Sequence, residues 1–293
     1  IPLALVNGAD GIGTGWSTFA PPHDPLDVLR LVRARLGSMK ENEALTPWWR
    51  GFRGTVRVDG TVVHTRGVCA ATGPKTYEVT ELPPRYWTNS FKLHLESLVE
   101  AGTISSFENL SDDVRVRVVV HGLDGDPYET LKLDAKFSTG NVHLWDRAGR
   151  ITKFDSALQI LEEWFPVRLA LYNERRQVLI ETARREASAA AERARFIDLV
   201  RSGDVDLRAA TAAVEARLRE LGFADVAPLL GMKLSSLTHD NAEALRRAAA
   251  RASEELEALK GRSAERMWAD DLDALEQAIA AAPAEPAPKR ART

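Results

Sequence analysis

Residues 7–17 read N-G-A-D-G-I-G-T-G-W-S, and the interpretation of the whole chain depends on them. Four glycines surround one isoleucine, Ile12, whose direct neighbours are Gly11 and Gly13. Glycine is favoured where a backbone turns tightly or approaches another surface closely. An apolar side chain on such a turn has little core of its own to fill. The stretch therefore predicts either a purely structural glycine turn or a turn that presents Ile12 to a partner as a wedge.

These glycines do not form a nucleotide-binding pattern. The dinucleotide fingerprint G-x-G-x-x-G would require glycine where Trp16 stands, and no Lys-Ser or Lys-Thr pair completes a phosphate-binding P-loop. We therefore expect no nucleotide site in this stretch.

The composition limits the classes of protein that the chain can represent. Its 293 residues exceed the usual length of one domain, so we expect two or three units. Aromatic residues make up only 7% of the chain while alanine and arginine are abundant, which favours a helical, partly elongated protein. The formal net charge of −3 is not that of a general nucleic-acid binder. Any contact with nucleic acid must therefore be local.

Neither metal nor membrane chemistry is indicated by the sequence. Cys69 is the single cysteine and the six histidines are scattered, so we expect no disulfide and no metal site. No apolar run reaches the ~18 residues of a membrane span and no signal peptide is present, so no membrane partner is expected. Because the chain opens at Ile1 directly in an apolar, strand-like run, we expect it to be a fragment of a larger protein.

The first half of the chain combines helices with short strands. Asp24 and Pro25 predict the cap and first turn of a helix that ends at Gly37. From Trp48 to about Phe154 the pattern is that of a mixed α/β unit, and its residues 114–118 alternate like a half-buried strand. The predicted strands cover residues 54–58, 61–64, 76–80, 114–120 and 130–133, and the predicted helix covers residues 87–100.

The second half of the chain is helical. From Trp164 to Val200 apolar and small residues recur in steps of three and four, which predicts a helix of roughly 35 residues, about 50 Å long. Pro166 suits its first turn. A second run, from Leu245 to Leu259, predicts an antiparallel returning helix with close, alanine-lined packing. The residues between the two helices must then form a small helical tip.

Five stretches resemble eukaryotic-type DNA topoisomerase II, of the type IIA class, and they occur in the order found in that family. They are residues 7–17, 47–56 (PWWRGFRGTV), 80–88 (TELPPRYWT), 229–238 (LLGMKLSSLT) and 263–272 (SAERMWADDL). The resemblance implies an α+β fold with a long antiparallel coiled coil. Its expected parts are the end of a winged-helix domain (1–25), a mixed α/β tower domain (26–163), an outgoing helix (164–202), a C-gate tip (203–238), returning and C-terminal helices (239–282) and a disordered tail (283–293).

The resemblance also assigns roles to particular residues. In the family the isoleucine of the G-I-G-T-G turn inserts between base pairs of the gate DNA, and here that residue is Ile12, flanked by Gly11 and Gly13. The expected partners are double-stranded DNA and a second copy of the chain. Further DNA contacts are expected at Arg50, Arg53, Trp87 and Lys92, and the homodimer gate at Leu229, Leu230, Met232 and Leu234. A solvated surface position for each of these charges, and a core position for Trp87, remain open alternatives.

The catalytic parts of the family are not recognisable in this chain. The family passes one duplex through a transient break in another, using a nucleophilic tyrosine, Mg²⁺ and ATP. We expect Mg²⁺ and ATP to bind outside this chain, on the remaining ATPase, Mg²⁺-binding and winged-helix domains. No catalytic residue is assigned, and the chain alone is expected to be inactive. The implied location is the nucleus, or a viral factory or virion if the source is a large eukaryotic DNA virus.

The sequence departs from the family at a few points, and two rival functions remain. Ser235 stands where the family usually has tryptophan, and an acidic insertion after Phe223 is missing, so we expect a smaller tip. The main rival is a structural coiled-coil interaction protein without DNA activity, which leaves Ile12 and the two tower stretches, 47–56 and 80–88, unexplained. An enzyme with its own active site in the α/β unit lacks any Ser-His-Asp, metal or phosphate-loop pattern.

Overall fold

The computed structural model describes residues 1–37, 44–112, 114–233 and 239–282. They divide into two compact units, Ile1–Arg168 with the residues from Ala269 onward, and Leu169–Trp268. The mixed α/β architecture with a long helix confirms the predicted fold class. Two predicted features, Leu234 and the tail at 283–293, lie outside the described residues.

The first unit opens with a short helix and a hairpin, which corrects two predictions. Helix α1 (Leu3–Val6) replaces the expected strand-like run, because the amide of Asn7 donates to the carbonyl of Leu3 at 2.8 Å. Strand β1 (Ala9–Gly13) then pairs antiparallel with β2 (Trp16–Ala20). The reversal of the chain therefore lies at residues 14–15, and Ile12 is a strand residue near it rather than part of the turn.

Helix α2 (Pro25–Leu36) confirms the predicted start and stop signals. The side chain of Asp24 accepts a hydrogen bond from the amide of Leu26 at 2.8 Å, which caps the first turn. Gly37 follows the last turn. The face that carries Val28 and Val32 is fully buried, so the helix is held by its apolar side.

Two antiparallel sheets follow. The first has the strand order β3-β4-β9 and the second has the order β5-β6-β8-β7. Helix α3 (Thr88–Glu100) lies between β6 and β7 in the chain and matches the predicted helix closely. The remaining elements are β3 (Thr55–Asp59), β4 (Val62–Arg66), β5 (Val68–Gly73), β6 (Thr76–Glu81), β7 (Ser106–Asn109), β8 (Val118–His121), α4 (Pro127–Thr130), β9 (Asp134–Ser138), β10 (His143–Trp145) and β11 (Ile151–Lys153).

Two of the predicted strands are wrong in their extent. The predicted strand 114–120 is a strand only over β8, since the Asp112 side chain accepts hydrogen bonds from the amides of Val114 and Arg115 and holds them in a turn. The predicted strand 130–133 is the end of α4 and the turn after it. The left-handed φ of 52° at Lys132 is incompatible with a strand there.

The core of these strands lies against α3. Phe91 and Leu95 of α3 are fully buried, and they cluster with Val79 of β6 and Val120 of β8. The same cluster contains Leu131 and further buried leucines from the segments between strands. The tower stretch at 80–88 thus leads directly from a core strand into the core helix.

Helix α5 (Ala157–Ser202) is 46 residues long, about 70 Å at 1.5 Å per residue. It begins seven residues before the predicted start at Trp164, so Pro166 lies inside the helix rather than in its first turn. A capping interaction before the predicted start explains why the helix begins earlier. The hydroxyl of Ser156 accepts from the amide of Gln159, and the Gln159 side chain accepts from the amide of Asp155.

The second unit contains α6 (Thr211–Glu220), α7 (Ala227–Leu230) and α8 (His239–Gly261), and helix α9 (Ala264–Ala281) begins within it. Within this unit α5 and α8 run antiparallel, as two contacts show. Asp198, near the end of α5, pairs with Arg246, near the start of α8. The guanidinium of Arg176, earlier in α5, donates to the carbonyls of Lys260 and Arg262. The apolar and small residues that recur in steps of three and four along the two predicted runs are buried or half-buried. No helix among those described is long and apolar enough to cross a membrane.

Candidate nucleic-acid interface

The side chain of Ile12 is almost entirely exposed. It lies near the end of the β1–β2 hairpin, opposite Ser17, and 93% of its surface is open to solvent. A scattered exposed apolar residue is ordinary on a protein surface. Here, however, the residue sits beside the reversal of a two-stranded hairpin, where an outside partner can reach it from several directions.

The glycines on either side of Ile12 are not required by the packing of this chain. A Cβ atom added at Gly11 would meet nothing within 4 Å, and one at Gly13 would meet only the carbonyl oxygen of Trp16 at 3.8 Å. Gly15 differs, because its φ of +81° is a conformation that residues with a side chain rarely adopt. The turn thus explains Gly15, whereas the open space beside Gly11 and Gly13 has no internal explanation.

Strand β2 anchors the hairpin to the segment that leads into β10. The amide of Phe19 donates to the carbonyl of Asn141 at 3.0 Å, and the Asn141 side chain donates to the hydroxyl of Ser17 at 2.7 Å. Trp16 packs edge-on against His143, with the ring centroids 5.2 Å apart. The residue opposite Ile12 is therefore held in place from the far side of the hairpin.

An aromatic cluster joins the hairpin to the first tower stretch. Phe19 packs against Phe137 of β9 with centroids 5.8 Å apart, and Phe137 packs against Trp49 at 5.9 Å. Trp49 in turn meets Phe52 edge-on at 6.5 Å. Trp49, half-buried, is thus a packing residue, while its neighbour Trp48 is more exposed.

Arg85 joins the hairpin to the second tower stretch. Its guanidinium lies 2.9 Å from the carboxylate of Asp10 in β1, and it sits over the ring of Phe19 at 4.8 Å. The backbone of Arg85 has a left-handed φ of 68°, which costs on the order of 1–2 kcal/mol for a residue with a side chain. Arg85 lies within the stretch 80–88, but no local sequence pattern indicates its contact with a residue 75 positions away.

The four other predicted DNA contacts are exposed, and their surroundings differ. Arg53 donates to the carbonyl of Thr80 at 2.9 Å and pairs with Glu81, so it connects the two tower stretches. Trp87 is half-exposed at the start of α3. Lys92 pairs with Glu96 of its own helix at 3.7 Å, and Arg50 lies in an exposed turn before β3.

Comparison with known proteins decides the family. The DNA gyrase/topoisomerase IV A-subunit family matches residues 1–273. The chain belongs to this type IIA topoisomerase family. The prediction drawn from the five stretches is thereby confirmed.

The topoisomerase relatives are considerably longer than this chain. The chain is 34% identical over 242 residues to the DNA topoisomerase 2 of Pisum sativum. This alignment covers 76% of this chain and 16% of that protein. It is 30% identical over 325 residues to the enzyme of Penicillium chrysogenum, covering 93% of this chain and 20% of that protein. The chain therefore spans about a fifth or less of the length of these relatives.

A solved topoisomerase structure has the same fold. It is the "Plasmodium falciparum topoisomerase II DNA-binding, cleavage and re-ligation domain", which superposes with a TM-score of 0.85 at 24% sequence identity. The match covers 96% of this chain and 44% of that one. The α+β arrangement with its long helix is thus shared almost from end to end.

The predicted gate residues of this topoisomerase chain pack largely within its tip. Leu229 is only 3% exposed and lies in a cluster with Phe196 and Phe223. Leu230 and Met232 are half-buried against the same cluster, and Leu234 lies outside the described residues. In the single chain, Leu229 therefore supports the tip from inside, and Leu230 and Met232 keep some accessible surface.

Several titratable side chains of the topoisomerase chain are buried or hydrogen-bonded within the fold. His23 is buried, its Nδ1 atom lies 3.1 Å from the carbonyl oxygen of Leu5, and burial lowers the pKa of its imidazole. Burial raises the pKa of the Cys69 thiol to about 11, and the hydroxyl of Tyr128 donates to the carbonyl of Cys69 at 3.3 Å. Tyr172 is buried and stacked on Trp268 at 5.2 Å. None of these groups is placed as an activated nucleophile.

Proposed function

We propose that this chain is the part of a type II DNA topoisomerase that bends the gate DNA and forms the exit gate for the transported duplex. The observation that carries the proposal is the isolation of Ile12, which is 93% exposed between two glycines with open space beside them. An apolar residue in that setting suits insertion between base pairs, where it replaces the lost stacking and kinks the duplex.

The flanking glycines support the proposed approach to DNA. An aliphatic wedge reaches the base step only if the backbone on either side of it can come close to the duplex. Methyl groups at positions 11 and 13 would stand in that space. Arg50, Arg53 and Lys92 are proposed to hold phosphates beside the wedge and Trp87 to contact the DNA, which fixes position without reading sequence.

The rival proposal is a structural coiled-coil protein without DNA activity. It accounts for the antiparallel α5–α8 pair, but it gives no reason for an exposed isoleucine next to glycines that the fold does not need. One simple measurement distinguishes the two proposals, namely the affinity of the chain for a short DNA duplex at different salt concentrations. A net charge of −3 makes the expected binding weak and local, and an affinity that falls with rising salt supports the phosphate contacts.

Replacing Gly11 or Gly13 with alanine is expected to weaken DNA binding by about tenfold while leaving the melting temperature unchanged or slightly raised. Alanine fits both positions without a clash and removes the entropic cost of glycine, about 0.5–1 kcal/mol. Fluorescence anisotropy with a duplex of about 30 base pairs and a thermal melt measure the two effects. The control is Gly15→Ala, which loses stability because of its φ of +81°. Unchanged DNA affinity in both Gly11→Ala and Gly13→Ala contradicts the proposed approach.

We also propose that residues 203–238 bring two copies of the chain together as the exit gate. Two-fold symmetry makes such a contact self-complementary. Leu230 and Met232, which retain accessible surface at the edge of the tip cluster, are the described residues best placed to contribute.

The full chain is expected to sediment as a dimer at a protein concentration of tens of micromolar. This concentration is an order-of-magnitude choice for an interface that buries less than the standard area of ~1,600 Å². Met232→Asp is expected to shift it to monomer, since a charge at an apolar contact is costly to bury. The control is Leu171→Asp, which changes an exposed apolar residue outside 203–238. A chain that is monomeric at every concentration, or dimers that persist in Met232→Asp, count against this gate.

The chemical step is proposed to reside on other domains. Among the described residues no group of three or more His, Cys, Asp or Glu side chains could hold a metal ion. The chain has four tyrosines, and those at 128 and 172 have the structural contacts given above. We therefore propose that Mg²⁺, ATP and the nucleophile act elsewhere, and that this chain alone does not cleave DNA. For its location we propose the nucleus, although two relatives, from Dictyostelium discoideum and Caenorhabditis elegans, are named mitochondrial.

A further inference from the structure

We infer that Arg85 is a positioning residue that holds the wedge hairpin on the tower domain, so that Ile12 meets DNA at a fixed place and angle. This inference rests on the proposed function of Ile12 as a wedge. Its structural content, however, can be tested without DNA.

The Arg85 side chain contacts several elements at once. It spans from the second tower stretch to the hairpin, where its guanidinium pairs with Asp10 of β1 at 2.9 Å and covers the ring of Phe19 of β2 at 4.8 Å. The ring of Phe137 of β9 lies 6.0 Å away. One side chain thus contacts both strands of the hairpin and a strand of the sheet behind it. Asp10 is two residues from Ile12, so a shift of this contact moves the wedge directly.

The ion pair between Arg85 and Asp10 is by itself too weak to hold the hairpin in place. Arg85 and Asp10 are each about half exposed, at 50% and 56% of their side-chain surface, and exposed ion pairs of this kind contribute little. The planar guanidinium adds stacking on the aromatic ring, which a lysine ammonium cannot reproduce in the same way. Arginine at this position therefore fixes orientation as well as charge.

The backbone of Arg85 adopts a left-handed conformation. Its φ of 68° is one that glycine or asparagine would adopt at lower cost. Residues held in such conformations persist only where the surrounding structure over-determines them. A position that would be more relaxed as glycine, yet carries an arginine aimed at the hairpin, indicates that the side chain has a task.

The test compares Arg85→Gly with Lys75→Gly in the full 293-residue chain. Lys75 also has a left-handed φ, of 54°, and an exposed ion pair, with Asp124, but it lies in the β5–β6 turn. Both glycines relieve the same backbone strain, so both variants are expected to fold. Hydrogen exchange of the amides of residues 9–20, measured without DNA, is expected to accelerate about tenfold in Arg85→Gly and not in Lys75→Gly. Arg85→Lys should fall between wild type and Arg85→Gly.

The second readout is the bend of a duplex of about 30 base pairs labelled at both ends, measured by fluorescence transfer. Arg85→Gly is expected to lose half or more of the bend while duplex affinity falls less than threefold, because a loose wedge still lets the phosphate contacts form. Unchanged hairpin exchange in Arg85→Gly overturns the inference, whatever the DNA result. A wild-type bend in Arg85→Gly alongside a lost bend in Ile12→Ala also overturns it. If Ile12→Ala itself bends DNA normally, the proposed wedge fails instead, and the exchange result alone then decides whether Arg85 holds the hairpin.

Discussion

Replacing Ile12 with alanine is expected to remove most of the DNA bend and to weaken duplex binding by about 30-fold. Alanine lacks three of the carbon atoms that the isoleucine side chain offers to the base step. At about 0.8 kcal/mol for each buried carbon, their loss amounts to roughly 2 kcal/mol. The free energy of unfolding should not change, because 93% of the side chain is already in solvent. Fluorescence transfer between the two ends of a duplex reports the bend, and a melt reports the stability.

A size series at position 12 distinguishes a wedge from a general contact. Leucine and methionine keep the apolar volume and are expected to retain most of the bend, while valine should be intermediate. The matched control is Leu93→Ala on α3, which removes another exposed apolar side chain of similar size. An Ile12→Ala chain that bends DNA like wild type, or a Leu93→Ala chain that loses the bend equally, removes the basis for the proposal.

Replacing Phe91 with alanine is expected to destabilise the first unit by about 3–5 kcal/mol, the usual cost of removing a fully buried aromatic ring. Phe91 has no exposed surface and meets the ring of Tyr86 edge-on at 5.8 Å. At roughly 2–4 °C for each kcal/mol in a unit of this size, the melting temperature should fall by about 10 °C. Differential scanning calorimetry measures the shift.

Leu93 again provides the comparison, since it lies two residues along the same helix but is 67% exposed. Leu93→Ala is expected to change the stability by less than about 0.5 kcal/mol. Equal losses in the two variants would mean that α3 does not pack through the face that carries Phe91 and Leu95. The core around α3 would then need a different assignment.

The helices were predictable because their ends carry chemical signals. Asp24 and Pro25 mark the start of α2, and the helix predicted over residues 87–100 corresponds closely to α3. The start of α5 was missed although Ser156 and Gln159 form a capping pair, because Pro166 offered a more familiar first-turn signal. Proline inside a helix removes one backbone hydrogen bond, a cost that a helix of 46 residues tolerates.

The short strands were less predictable because their formation depends on partners far away in the chain. Strand β9 exists because it pairs with β4, some 70 residues earlier. The alternation at 114–118 failed as a strand signal because Asp112 offers the following amides a local alternative to pairing. Periodicity alone cannot report which of these competing hydrogen bonds forms.

The residues of the candidate site also differ in whether the sequence alone could identify them. Ile12 and its glycines could be found from local sequence because three residues carry the pattern. Arg85 could not, since its significance comes from contacts with Asp10 and Phe19, which only the folded chain brings near. The predicted contacts at Arg50, Arg53, Trp87 and Lys92 remain predictions that depend on the position of bound DNA.

The glycines beside Ile12 have a further consequence for how copies of this chain behave in concentrated solution. Within the described part of the chain, β1 pairs with β2 alone, which leaves its outer edge open. An open strand edge that carries an exposed isoleucine invites pairing with another molecule and hence aggregation. Glycine on both sides of the isoleucine lowers the tendency of that edge to extend as a strand. The same two glycines that leave open space beside Ile12 thus also oppose self-association of the hairpin.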